Sequence, residues 1–166
     1  MAVDFDGYEY DYSDGTWSGG KQIDPTGFES VSCTASSFCV AVSGMGLAYT
    51  YSKSTWSVGE KISPLGFQSV SCASSPFCMA VTTGNADVGH GSTGYGYAYS
   101  DGRWFGRQRI DPTTGLISAV SCASSSFCIA VDADIGGKGG GHEYTSSDGT
   151  WSSGGLDPVR QTGCLC

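Results

Sequence analysis

Short apolar runs separated by polar turns recur along this chain, and the spacing of the runs itself repeats. Ser30-Val31-Ser32-Cys33 is followed by a small-residue loop, 34–37, and then by Phe38-Cys39-Val40-Ala41-Val42. The pattern returns as Ser69-Val70-Ser71-Cys72, loop 73–76, Phe77-Cys78-Met79-Ala80-Val81. It returns again as Ala119-Val120-Ser121-Cys122, loop 123–126, Phe127-Cys128-Ile129-Ala130-Val131. Each copy reads as a β-hairpin of two strands, A and B, with the two cysteines at the facing ends. No stretch sustains the 3.6-residue periodicity of a helix.

After each hairpin come two more strand signals, C and D. Strand C carries alternating tyrosines: Tyr8-Glu9-Tyr10-Asp11-Tyr12, Tyr49-Thr50-Tyr51, Tyr95-Gly96-Tyr97-Ala98-Tyr99 and Tyr144. A turn and a Trp-headed strand D follow: Ser13-Asp14-Gly15-Thr16-Trp17, Ser52-Lys53-Ser54-Thr55-Trp56, Ser100-Asp101-Gly102-Arg103-Trp104 and Ser147-Asp148-Gly149-Thr150-Trp151. Asp-Gly suits a tight reversal, and the Trp can fill space between packed sheets. The third and fourth copies carry insertions between B and C, from Thr82 to Gly94 and from Asp132 to Gly141.

Recurrence at a period of about forty residues is the signature of a repeat architecture. The chain opens in the middle of a copy, since Met1-Ala2-Val3 matches Val40-Ala41-Val42. It ends in Gly163-Cys164-Leu165-Cys166, where the separation of Asp157 from Cys166 equals that of Asp24 from Cys33. These matches predict an all-β, four-bladed β-propeller with four antiparallel strands per blade. Its ring would be closed by residues 163–166 pairing with the N-terminal blade. Blade 1 is then 163–166 plus 1–23, blade 2 is 30–62, blade 3 is 69–110 and blade 4 is 119–156, all in the single domain 1–166. A monomer is favoured, and a half-ring that pairs with a second copy into eight blades is the alternative.

The Ser-Asp-Gly-x-Trp turn resembles the Asp-box at the same C–D turn of sialidase-like and related bacterial neuraminidase repeats, though it is shorter. With the Ser-Val-Ser-Cys and Phe-Cys-x-Ala-Val runs, the whole chain resembles the Cys-paired propeller repeats of secreted bacterial proteins. That resemblance implies a fold rather than an activity. A sialidase-like site would need an arginine triad. Here Arg103, Arg107 and Arg109 stand at odd positions of one outer strand, which predicts one shared side, and only Arg160 lies elsewhere.

Composition narrows the partners. Only 14% of residues are charged and 26 are Gly, which suits strands and turns; the net charge of −8 disfavours a phosphate-driven grip on nucleic acid. No apolar run reaches the length of a membrane span, and Met1 to Asp6 lacks the basic start and apolar stretch of a secretory signal. That start points to a mature chain or to a piece of a longer one. Six of the eight cysteines form three Cys-x5-Cys pairs, predicting disulfides Cys33–Cys39, Cys72–Cys78 and Cys122–Cys128 and a secreted protein. Cys164 and Cys166 are expected not to join any other blade.

In a propeller the B–C and D–A loops share one face, where ligands bind. Candidate ligand-binding residues on it are Asp4, Asp6, Tyr8, Asp87, His90, Tyr95, Asp132, Asp134 and His142. Asp4, Asp6, Asp132 and Asp134 have the Asp-x-Asp spacing that can offer oxygens to Ca²⁺, the one cofactor considered. No catalytic residue stands out. The expected function is a lectin-like module binding a glycan or a surface protein. Alternatives are a small hydrolase or lyase using acidic residues of that face, and a structural or assembly unit.

Overall fold

A computed structural model describes residues 1–82, 84, 93–111, 117–132 and 141–154, and among these the chain is all β. The first module comprises β1 (Ala2–Val3), β2 (Tyr8–Tyr10), β3 (Tyr12–Ser13), β4 (Thr16–Trp17) and β5 (Lys21–Gln22). Its sheet runs β1-β2-β5, with β3 and β4 as a separate ribbon. The second comprises β6 (Ser30–Ala35), β7 (Phe38–Val42), β8 (Leu47–Ser52), β9 (Thr55–Trp56) and β10 (Glu60–Lys61), with β8 pairing β7 on one side and both β9 and β10 on the other. The third is an unbroken meander of β11 (Phe67–Ser74), β12 (Phe77–Thr82), β13 (Gly94–Ser100) and β14 (Arg103–Asp111). The fourth repeats it as β15 (Ile117–Ser124), β16 (Phe127–Asp132), β17 (Glu143–Ser147) and β18 (Thr150–Gly154). The predicted A-to-D order therefore holds in the second, third and fourth modules, and strand A of the third and fourth starts two residues earlier than its Ser-Val-Ser or Ala-Val-Ser run.

The Cys hairpins form with a tighter turn than their loops suggested. Strand A continues to Ala35, Ser74 and Ser124, with a bulge just after each first cysteine, so that Cys33 faces Cys39, Cys72 faces Cys78 and Cys122 faces Cys128. All three pairs are disulfide-bonded, with Cα atoms 4.0, 3.9 and 4.0 Å apart. Direct opposition is what lets so short a loop be bridged.

The turn between C and D is fixed by backbone sign. Asp14, Asp101 and Asp148 have φ near 50°, and the glycines after them φ near 80°, the two positive angles of a type I′ hairpin. Lys53 and Ser54 take the same conformation at φ 50° and 63° without a glycine. A two-residue I′ turn accounts for Asp-Gly without any further role for the Asp.

Successive modules lie face to face. Val40 and Val42 of the second module pack against Phe67, Val70, Ala80, Tyr97 and Tyr99 of the third. Met79 and Val81 of the third pack against Ile117, Val120, Ala130 and Tyr144 of the fourth. Val3 of the first packs against Phe28, Ala41 and Tyr49. The second and third modules each carry an aromatic wedge: Phe28 meets Tyr49 edge-on at 5.0 Å and stacks on Trp56 at 6.3 Å, and Phe67 treats Tyr97 and Trp104 the same way at 5.5 and 6.2 Å.

The A strands of adjacent modules are joined by serine hydroxyls. The N–H groups of Val70 and Cys72 donate to Ser30 Oγ (3.2 Å) and Ser32 Oγ (2.9 Å). One module on, Val120 and Cys122 donate to Ser69 Oγ (3.3 Å) and Ser71 Oγ (3.0 Å). The Ser-x-Ser-Cys spacing thus has a second purpose besides strand alternation. Among the described residues the sheets of the four modules remain separate and the ring is not closed. The pairing expected of residues 163–166, including Cys164 and Cys166, falls outside the described residues.

Two changes test this reading. Ser71→Ala should cost about 1 kcal/mol, because a partly buried N–H loses its acceptor, and Ser32→Ala should add to it, the two lying in different junctions; urea unfolding of the single and double variants measures both. Ser54→Gly should stabilise by up to about 1 kcal/mol by removing a side chain from left-handed backbone. The equivalent Gly102→Ser should destabilise, and a Ser54→Gly variant less stable than the parent would refute the assignment of strain to that turn.

Candidate functional site

The B–C and D–A loops do share one side, because they are hydrogen-bonded to each other. In the first module the carbonyl of Gly7 accepts from Ile23 N–H (2.8 Å) and Asp24 N–H (3.3 Å), and the carbonyl of Asp4 accepts from Phe28 N–H (3.0 Å). In the second, Gly46 accepts from Ile62 and Ser63 and Ser43 accepts from Phe67, at 3.1, 3.2 and 3.1 Å. Gly7 and Gly46 sit at φ 81° and 75°, and a Cβ there would lie 1.4 and 2.2 Å from the carbonyl oxygens of Asp24 and Ser63. Only glycine fits so close a backbone approach.

The residue after strand B closes each B–C connection with its side chain. Asp4 Oδ1 accepts the amides of Asp6 (3.0 Å) and Tyr8 (2.9 Å), while Oδ2 accepts the Tyr10 hydroxyl (2.8 Å). Ser43 Oγ accepts from Leu47 N–H, Thr82 Oγ1 from Tyr95 N–H, and Asp132 Oδ1 from His142 N–H. The Tyr8 amide, then the Tyr10 hydroxyl, hold the Asp4 carboxyl below its ordinary value. Asp4 is therefore occupied with its own turn. Asp6 is exposed and contributes its carbonyl to Gln22, and no group of three or more His, Cys, Asp or Glu placed to hold a metal forms among the described residues.

The fourth module gathers more chemistry. Asp132 is buried, and its Oδ2 lies 2.9 Å from His142 Nδ1 and 3.4 Å from the hydroxyl of buried Tyr144. The side chain of His142 is 44% exposed against 1% for Asp132, so the imidazole faces solvent while its partner does not. Asp111, fully buried at the end of the third module, reaches the same tyrosine. Burial, with the two carboxylates beside it, pushes the Tyr144 hydroxyl far above the ordinary phenol value. The first junction has a simpler version: burial and the nearby Asp24 push Tyr49 up to about 12. Asp24 is itself lowered, hydrogen bonds from Thr26 outweighing its burial.

Of the residues expected on this face, Asp132 and His142 come together, and the Asp4 carboxylate meets the backbone of Asp6 and Tyr8 and the hydroxyl of Tyr10. Asp87, His90 and Asp134 lie outside the described residues. Tyr95 is covered rather than open: the Arg107 guanidinium stacks 3.7 Å above its ring and also donates to its hydroxyl. The arginines do not share one side as their odd numbering predicted. Register shifts in β14 set Arg103 opposite Ser100 and Arg109 opposite Tyr95, which puts them on opposite faces. Asp24, Asp111, Tyr49 and Tyr144 were missed as polar partners, although Asp-Pro at 24–25, 111–112 and 157–158, with Ser63-Pro64 in the same place of the second module, was visible in the sequence.

A scan of protein-family models finds no match to this chain, and a search of curated proteins finds no similar sequence. The site has to be read from its own geometry.

Two clefts open at the outer rim between modules. One of about 440 Å³ is lined by Lys21, Asp24, Trp56 and Val58; one of about 190 Å³ has Lys61, Trp104 and Phe105 at the next junction. Their recurrence marks them as gaps left where twisted sheets splay apart, not as a dedicated pocket.

Alkaline titration checks the buried tyrosines. A phenol whose pKa is raised on folding adds stability that is complete below the unfolded value of about 10 and is lost as the pH rises through the folded value. Tyrosinate absorbance should therefore leave a fraction of the 9 tyrosines un-ionised until about pH 12, where unfolding releases them. Tyr49→Phe with Tyr144→Phe should remove that late fraction. A native protein whose tyrosines all titrate near pH 10 would contradict the burial described.

Proposed function

We propose that this chain is a set of β-propeller blades acting as an extracellular binding module, lectin-like or directed at a surface protein, through the B–C/D–A loop side of its third and fourth modules. The observation that carries this reading is the unequal length of the B–C connections on an otherwise even repeat. Residues 4–7 and 43–46 make minimal turns locked by glycine, whereas the B and C strands of the third and fourth modules are connected by the much longer stretches 83–93 and 133–142. In repeat proteins, insertions confined to one face mark the surface that varies for recognition. His142 sits at the foot of the longer connection of the fourth module, held by Asp132 through Nδ1, and presents the rest of its ring to solvent beside Tyr144.

The other supports are general. Three disulfides suit an oxidising compartment, and an acidic surface with few charges suits neutral or cationic ligands. The Ser-Asp-Gly-x-Trp turns support kinship with Asp-box propellers by resemblance. Among the described residues no helix is long and apolar enough to cross a membrane. Ca²⁺ remains part of the proposal through Asp134, two positions beyond Asp132 in the sequence, with Asp4 assigned to its own turn.

A glycan array, run with and without Ca²⁺, gives the test. Binding is expected for the parent chain, at least tenfold weaker for His142→Ala, and absent when residues 83–93 and 133–142 are each replaced by Gly44-Met45-Gly46. Equal binding by the loop-replaced protein, with its disulfides intact, would place recognition elsewhere.

A further inference from the structure

The interface that joins modules occurs three times inside the chain and is left half-made at each end. On its leading side every module offers the alternate residues of strand B: Val3, then Val40 and Val42, then Met79 and Val81. Val40, Val42 and Val81 are 0% exposed and Met79 is 3%. The same positions in the fourth module are Phe127, Ile129 and Val131, and they are 41%, 40% and 41% exposed. A continuous apolar stripe on one strand, buried in two homologous places and open in the third, is an unpartnered sheet face rather than scattered surface residues.

The complementary half is at the other end. The receiving side of a module consists of strand-C tyrosines and the strand-D tryptophan: Tyr97, Tyr99 and Trp104 in the third module are buried or half-buried against the second. In the first module their counterparts are Tyr10, Tyr12 and Trp17, and Tyr12 and Trp17 are 58% and 57% exposed. The serine link is open as well, since Ser121, the counterpart of Ser32 and Ser71, is exposed on β15.

Geometry decides what can close the gap. If each of three like junctions turned the chain by a quarter circle, the fourth module would lie on the first and both faces would be buried. They are exposed, so the arc turns through less than that, and a ring built from such modules needs more than four. We propose that the occupant is a second copy of this chain. The strand-B face of module four in one copy seats the Tyr10, Tyr12 and Trp17 face of module one in the other, and the reciprocal contact closes a ring of four plus four modules. The contact is heterologous and made twice about a two-fold axis, and eight blades fall within the range that propellers adopt. This rests on the repeat packing alone and not on any ligand.

Light scattering during gel filtration should give twice the chain mass of 17.2 kDa. Ile129→Glu and Trp17→Glu should each reduce that to a monomer with an unchanged far-ultraviolet spectrum. The decisive arm mixes the two variants. Ile129→Glu keeps an intact module-one face and Trp17→Glu an intact module-four face, so the mixture should regain one junction and form a heterodimer. A parent protein that is monomeric with Ile129 protected from labelling as Ile129→Cys would show closure within one chain and overturn the proposal. So would a dimer broken by Ile129→Glu and untouched by Trp17→Glu, because that pattern belongs to two like faces meeting.

Discussion

Everything in this fold depends on how the inner edge of one sheet meets the inner edge of the next. Strand A is an edge strand, with N–H groups directed away from its own hairpin, and such edges ordinarily recruit another strand. Here the N–H groups of Val70, Cys72, Val120 and Cys122 are taken up by serine hydroxyls of the preceding module. A side-chain acceptor holds the neighbouring backbone further off than a ladder partner would. The sheets consequently fan out as separate layers instead of merging into one, and the valines and tyrosines on their faces fill the wedge between them. The disulfide in each hairpin ties strand A to strand B at the same level, so the inner edge cannot peel away from the sheet that carries it.

That division of labour explains where polar chemistry ends up. Acidic residues on the loop side look from the sequence like a scattered coordination set, yet most have structural partners. Asp4 closes its own B–C turn, Asp24 and Asp111 reach forward to Tyr49 and Tyr144 of the next module, and Glu9 accepts the indole N–H of Trp56 across a junction. Asp4, Asp111 and Glu9 lie where a packed layer ends and a hydroxyl, amide or indole must find an acceptor, whereas the Tyr49 hydroxyl is buried near Asp24 without a hydrogen bond. Asp132 begins in the same role, but an inserted connection brings His142 onto its second oxygen and turns a loop-closing carboxylate into half of a solvent-facing pair.

Strand order, the three disulfides and the tight C–D turns were legible because each rests on short-range rules: alternation, facing cysteines and Asp-Gly. The bulge after each first cysteine was not, since nothing in Cys-Thr-Ala or Cys-Ala-Ser marks an unpaired residue; it shortened the expected loops. The same kind of slip in β14 separated Arg103 from Arg109. Pairing of Asp132 with His142 could not be read either, because it joins the two ends of an insertion. The serine links were present in Ser-Val-Ser-Cys but indistinguishable from plain alternation until two strands A stood side by side.

The repeat is also uneven in a way that follows from those links. Ala119 stands where Ser30 and Ser69 stand, so the fourth module can offer its successor one hydroxyl at Ser121 where the second and third offer two. With Phe127, Ile129 and Val131 providing the apolar part of that face, the junction proposed for it with a second copy leans more on side-chain packing and less on hydrogen bonds than the two serine-linked junctions. Packing of that kind is less directional than an N–H to hydroxyl contact, so the angle at that proposed contact is less constrained than at those two. The junctions made twice by serine fix the arc of the second, third and fourth modules, and a contact made by packing has room to turn.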